Sequence, residues 1–379
     1  MAKHSRAGSQ DVVGAVDRLS TLPDGLIHTV LSFLPSPEVV RTCVLSRRWR
    51  NLWRSVPRIN LDEKDFGISL SLMIRHDGAM EEKWARFEDF ATNLLLFHDN
   101  TSSLDEFRFS SLAYNQRHLD RWVRRGIEYC PSVLNIQTRG YPFFKLPTVV
   151  GSSFRHLKTL RLCGMDLGSH FKGLLCSACP VMEDLMLENC EFRGNSSQGI
   201  TSATLKKLEL LEWCCNYTGY PLVISVPNLA YLCLGYGYHE AGISPCKMDS
   251  LVRARIQNDT FTQQSQRELL CSLYNVTNLE LVGFEVEGIL NEEPDKFPIF
   301  HNLRTLDLHS CFLDDYELHD KLEALGSFLQ RAPCLEKAYF AILHECMDLI
   351  GYSFHKRAIT AHIPAYIARS HPLKNIWIT

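Results

Sequence analysis

A string of the form apolar-x-x-apolar-x-apolar recurs along most of the chain. It reads Leu157-Leu160-Leu162, Met182-Leu185-Leu187, Leu205-Leu208-Leu210, Leu229-Leu232-Leu234, Val276-Leu279-Leu281 and Leu303-Leu306-Leu308. Looser copies are Leu104-Phe107-Phe109, Leu251-Ala254-Ile256 and Leu335-Ala338-Phe340, while near Pro131 only Leu134 and Ile136 fit. Successive copies begin 22 to 32 residues apart. Apolar residues two apart point to one face of a strand, so each copy predicts a short strand with a single buried face. One repeat cannot cover that face; stacked neighbours bury it in a continuous core. Between strands, Gly168–Cys179, Gln263–Asn275 and Tyr316–Arg331 have helical spacing. The predicted fold is α/β: a curved solenoid over 104–343, with parallel strands on the concave face and helices or irregular segments on the convex face.

The period and the L-x-x-L-x-L string are those of a leucine-rich repeat. Cys190 and Cys311 each lie three residues after the last leucine of a strand, where such repeats place Asn or Cys. A polar side chain there is expected to hydrogen-bond turn backbone that burial would otherwise leave unsatisfied. Glu81–His98 and Asn115–Tyr129 are predicted helices, the first within a helical connector assigned to 59–103. Residues 344–379 are assigned to a C-terminal cap, with Leu373, Ile376 and Ile378 as one more strand, and residues 1–16 to a disordered terminus.

Residues 17–58 have a different rhythm. Pro23-Asp24 opens a helix carrying Leu26, Ile27, Val30, Leu31 and Leu34, and Pro35-Ser36-Pro37 ends it. A second helix carries Val39, Val40, Cys43 and Val44. A third, with Ser46 as the expected N-cap, carries Trp49, Leu52 and Trp53 among four arginines. So small a unit buries too little surface to hold all these side chains, and some are expected to face a partner.

Leu22-Pro23-Asp24, the Leu/Ile helix and the run Val40-Arg41-Thr42-Cys43-Val44-Leu45-Ser46-x-Arg48-Trp49-Arg50-x-Leu52-Trp53 resemble the F-box motif, in the form that a large plant group couples to leucine-rich repeats. Gly25 departs from it, since the family commonly has an acidic residue there. The resemblance implies an F-box that docks on the Skp adaptor of a cullin-RING (SCF) ubiquitin ligase, and repeats that hold the protein to be ubiquitylated. It implies adaptor contacts at Leu22, Pro23, Leu26, Ile27, Val30, Leu31, Val44 and Trp49, with Cys43, Leu45, Leu52 and Trp53 packing the helices together. The alternative is a scaffold or ligand-sensing module bound to the adaptor outside a working ligase.

Composition leaves this picture intact. Apolar residues are 45% and charged residues 22% of 379, ordinary for a folded chain. Residues 1–60 hold nine Lys/Arg against four Asp/Glu, whereas the rest holds 31 against 39. The apolar runs are too short to cross a bilayer, and the start has no secretory h-region. Fourteen scattered cysteines then suggest reduced thiols, in the nucleus, the cytoplasm or both. A nucleic-acid patch at Arg47-Arg48-Trp49-Arg50 is disfavoured by the acidic body, and the lone Cys176-Ser-Ala-Cys179 is a weak zinc signal. There is no GxSxG, P-loop or GxGxxG, and no metal, cofactor or catalytic residue is expected. Candidate client contacts come from strand positions facing the concave side. Leu229–Tyr238 is expected to bring Tyr231 and Tyr236 (with Tyr238) near Arg253 and Arg255, residue types enriched at binding hot spots.

Overall fold

The computed structural model describes residues 21–69, 79–99, 103–112, 116–140, 143–147, 153–192, 199–215, 221–238, 243–246, 248–258, 261–284, 297–309, 311, 325–341 and 375–378. The assigned disordered terminus, most of the assigned cap and residues 316–324 of a predicted helix lie outside them.

One parallel sheet of twelve strands runs the length of the solenoid in sequence order. The strands are β1 (Arg58–Asp62), β2 (Glu106–Ser111), β3 (Val133–Thr138), β4 (Thr159–Cys163), β5 (Asp184–Glu188) and β6 (Lys207–Leu211). They continue as β7 (Tyr231–Leu234), β8 (Arg253–Gln257), β9 (Asn278–Val282), β10 (Thr305–His309), β11 (Lys337–Ala341) and β12 (Asn375–Ile378). Every repeat leucine sits in register with its neighbours: Leu160 beside Leu185 beside Leu208 beside Leu232. These side chains are buried and form one continuous core. Burial of each contributes about 1.5–3 kcal/mol.

One boundary differs from that expected. The sheet begins at Arg58, the last residue of the assigned 17–58 unit, and β1 runs on into the segment assigned to a helical connector, because Ile59 and Leu61 pair with Phe107 and Phe109 and are buried with them. The helix of that segment, α3 (Ala79–Phe97), packs with α4 (Gln116–Glu128), where the Trp122 indole donates to Thr92 Oγ1 at 3.2 Å. The convex side is also less helical than expected. Gly168–Cys179 holds only a helical turn, Phe171–Gly173, and a π turn, Leu174–Ala178, although α5 (Gln263–Ser272) forms as predicted. Instead, Phe144–Lys145, Met165–Leu167, Glu191–Phe192, Trp213–Cys215 and Gly237–Tyr238 build a second parallel sheet. Gly199–Thr201, Leu222–Ser225 and Ile243–Pro245 build a third. Such short strands leave no periodic signal of their own; stacking of the repeats aligns them.

A left-handed corner follows several main strands, at Gly164 (φ 72°), Asn189 (φ 48°), Glu212 (φ 49°) and Gly283 (φ 70°). Each turns the chain into its return segment. At three of them the corner N–H donates to the end of the next strand, as with Gly164 to Glu188 O at 3.0 Å. A Cβ on Gly164 would lie 1.8 Å from Thr138 O. Cys190 and Cys311 occupy their expected slot: the Cys190 thiol donates to Leu162 O (3.5 Å) and Glu188 O (3.4 Å), and the Cys311 thiol to Leu281 O and His309 O (both 3.3 Å). Burial pushes both thiols up to about 12, so they stay protonated donors.

Candidate interaction surfaces

The N-terminal helices are α1 (Asp24–Leu31) and α2 (Ser36–Arg41), followed by 3-10 turns Thr42–Val44 and Trp49–Ser55. At 3.6 residues per turn, α1 carries two apolar stripes. Ile27 and Leu31, each 1% exposed, join Val39, Trp49, Leu52 and Val56 in a small core. Leu26 and Val30 form the other stripe, with Phe33 in the turn just past the helix end; they are 53%, 54% and 74% exposed. Leu34, Val44 and Leu45 are further exposed apolar side chains of the same unit.

This sorts the residues assigned to the adaptor. Leu26, Val30, Val44 and Pro23 are at the surface and Leu22 is half-buried. Ile27, Leu31 and Trp49 are interior, a correction: they shape the surface from below. Leu45 is corrected the other way, being open rather than packed between helices. Phe33 was not among the expected contacts, although it stands seven residues after Leu26. Ser46 does not cap the last turn with its side chain; only its carbonyl accepts from Trp49 N–H, at 3.1 Å. The motif's Arg48 braces the unit. Its Nε donates to Asp24 Oδ1 at 3.0 Å, and its guanidinium also reaches Leu22 O, tying the start of α1 to the last turn.

The helical unit is fastened to the solenoid. Val40 and Trp53 pack against the main core. Ser36 Oγ accepts from Asn60 N–H at 2.9 Å, and Arg54 Nε donates to Phe97 O at 2.9 Å. Buried His98 lies 3.0 Å from Val56 O, its pKa lowered chiefly by desolvation. The apolar stripe is thereby held in a fixed orientation to the sheet.

On the concave side the alternation of buried and open positions follows the predicted register, as in the pattern of β5, β6, β9 and β10. Cys163, Cys233 and Gly235 are exceptions, being buried. Tyr231 and Arg253 are direct neighbours across β7 and β8, and Cys233 neighbours Arg255. Tyr231 is half-buried with Lys207 Nζ 5.5 Å from its ring centre, and desolvation pushes its hydroxyl up to about 12. Arg255 pairs with Glu280 at 3.3 Å; Arg253 is exposed and has no ion-pair partner among the described residues. Tyr236 is 54% exposed. It lies past the end of β7, in the bend that leads to Gly237–Tyr238 of the second sheet. The Tyr238 side chain lies outside the described ones.

One further feature was invisible in the sequence. Glu63, 1% exposed, opens the 3-10 turn after β1. Its Oε1 accepts from Leu112 N–H at 2.7 Å and its Oε2 from Ser111 Oγ at 2.8 Å. Desolvation raises its pKa to about 7 against these bonds, which lower it. Glu63 borders a cavity of about 320 Å³ whose walls include Lys64, Ile68, Ser110 and Arg139.

Residues 19–61 match the F-box domain family. Over 376 residues the chain is 31% identical to the meiotic F-box protein MOF of rice, covering 91% of this chain and 74% of that protein. It is 25% identical to an F-box/LRR-repeat protein of Arabidopsis thaliana (89% and 79% covered), and 27% identical to another (79% and 86% covered). With the apolar stripe of α1, the twelve-stranded repeat sheet and these likenesses together, the chain belongs to the plant F-box/leucine-rich-repeat family.

Proposed function

We propose that this protein is the substrate-recognition subunit of an SCF-type ubiquitin ligase. The carrying observation is an apolar stripe left uncovered on a small helical unit that is otherwise well packed. Leu26, Val30 and Phe33 point away from the core that α1 helps to build. Exposed apolar side chains in contiguous array mark a docking surface, here for a Skp-type adaptor and through it the cullin and RING subunits. The repeats supply a broad, ordered sheet for an as yet unidentified client protein, with Tyr231, Tyr236, Arg253 and Arg255 as candidate contacts. Neither cofactor nor nucleophile is required of this subunit. Its contribution is proximity: fixing a client beside a charged conjugating enzyme raises the effective concentration of the target lysine. The nucleus or the cytoplasm is the proposed setting.

Affinity capture of the full chain from plant cells tests the reading. Adaptor and cullin should be recovered together, and Leu26→Asp with Val30→Asp should lose both while the repeats stay folded. A client should accumulate on that variant's expression. Recovery of adaptor without cullin overturns the ligase role in favour of a scaffold.

A further inference from the structure

We infer that the first four strands of the concave face form a subsite for an acidic, extended peptide segment of the client. The inference rests on the reading above only for the word client; the binding chemistry stands on its own.

The open middle positions of β1 to β4 are Asn60, Arg108, Asn135 and Arg161, direct neighbours in register. Three polar atoms of this lane are buried with no hydrogen-bond partner among the described residues, Asn60 Oδ1, Asn135 Oδ1 and Arg161 Nε. Asn135 is only 6% exposed, yet it stands on the open side of its strand rather than in the leucine core. A buried amide oxygen without a donor is costly, and native chains rarely keep one without a use. The flanking side chains, Arg108 and Arg161, are 47% and 42% exposed. They form a movable cover: when they turn to an anion, the amide between them is opened to a peptide N–H.

Charge decides the class of ligand. Arg108 and Arg161 are joined at the end of the adjoining strands by Lys64 and Arg139, both exposed on the rim of the cavity beside Glu63. Opposing them, Glu106 is held by Arg108 at 2.9 Å, and Asp62 accepts from Lys64 N–H at 2.9 Å. Asp184 reaches Arg161 only at 3.7 Å, a loose pair that an incoming carboxylate can replace. Glu63 lies beneath the cavity, buried and bonded to Ser111 and Leu112. Arginine suits such a site, since its planar fork grips a carboxylate in two bonds. Four strands at ~4.8 Å spacing span about 14 Å, the reach of four or five extended residues. The cavity, at about 320 Å³, accommodates one of their side chains.

Fluorescence anisotropy of the full chain with a labelled peptide of alternating Asp/Glu and Ser residues tests this. The control is the same peptide with Asn/Gln for Asp/Glu. The acidic peptide should bind at least tenfold more tightly than its amide counterpart and weaken with salt. Arg108→Gln with Arg161→Gln should weaken it at least tenfold, whereas Arg121→Gln with Arg124→Gln, on helix α4, should not. Asn135→Leu should raise the melting temperature by removing the unpaired amide and yet weaken the peptide severalfold, a combination that a purely structural asparagine does not produce. Equal binding of both peptides, equal loss from the two arginine pairs, or no change in the Arg108/Arg161 variant overturns the subsite. None of these outcomes depends on adaptor capture, so failure of the ligase reading is seen separately.

Discussion

Glu63→Gln is the most direct test of the energetics at the head of the solenoid. Raising a carboxyl from its ordinary 4.5 to about 7 corresponds to ~3 kcal/mol at about 1.4 kcal/mol per pKa unit. The sign follows from linkage. Between pH 4.5 and 7 the folded chain holds a proton the unfolded chain has released, so stability falls as pH rises through that window and is flat above it. Glutamine keeps both hydrogen bonds: its carbonyl oxygen accepts from Leu112 N–H and its amide donates to Ser111 Oγ. It has no charge to desolvate. The variant should therefore match the parent near pH 4.5 and exceed it by up to ~3 kcal/mol at pH 8. Because other groups titrate too, the difference between variant and parent is the quantity to follow. Urea unfolding at a series of pH values supplies it, and hydrogen exchange of the Leu112 amide reports the same bond locally. A variant less stable than the parent at pH 8, or a difference that does not change with pH, would refute the reasoning.

Other outcomes follow from named contacts. Leu31→Ala should cost ~2–5 kcal/mol, by emptying part of the small core, and be read as loss of helical signal, whereas Leu26→Ser should leave the melt unchanged and weaken adaptor binding in a pull-down. Gly164→Ala should destabilise the repeats sharply in a thermal melt, since its Cβ meets Thr138 O at 1.8 Å. Glu212→Gly, at a corner with φ 49°, should instead gain up to ~1–2 kcal/mol by relieving left-handed strain. Gly25→Glu meets open space and should leave adaptor affinity unchanged or raise it, through up to ~1 kcal/mol of helix propensity; a weaker complex by calorimetry would show that position 25 faces the adaptor. Replacing Tyr231, Arg253 and Arg255 by Ala should barely move the melting temperature, and normal client turnover in cells carrying that triple variant would place the client elsewhere on the sheet.

The repeat leucines, the parallel order of the strands and the cysteine slots were legible in the sequence because each depends on a short, local spacing. A residue two along a strand faces the same way whatever the rest of the chain does. The left-handed corners were half legible: Gly164, Asn189 and Gly283 are residue types that accept positive φ, but Glu212 adopts it only because its neighbours stack there. Tertiary structure alone decided which α1 stripe turned inward, since Leu26 and Ile27 are equally apolar and only the position of Val39, Trp49 and Leu52 selects between them. It also decided that Arg58–Asp62 opens the sheet, that two- and three-residue segments align into further sheets, and that an ordinary-looking Glu63 is buried. Each of these depends on partners beyond the local spacing, as Asn60 is 24 residues from Ser36 and Leu112 is 49 from Glu63. A spacing read along the chain carries no record of what packs across it.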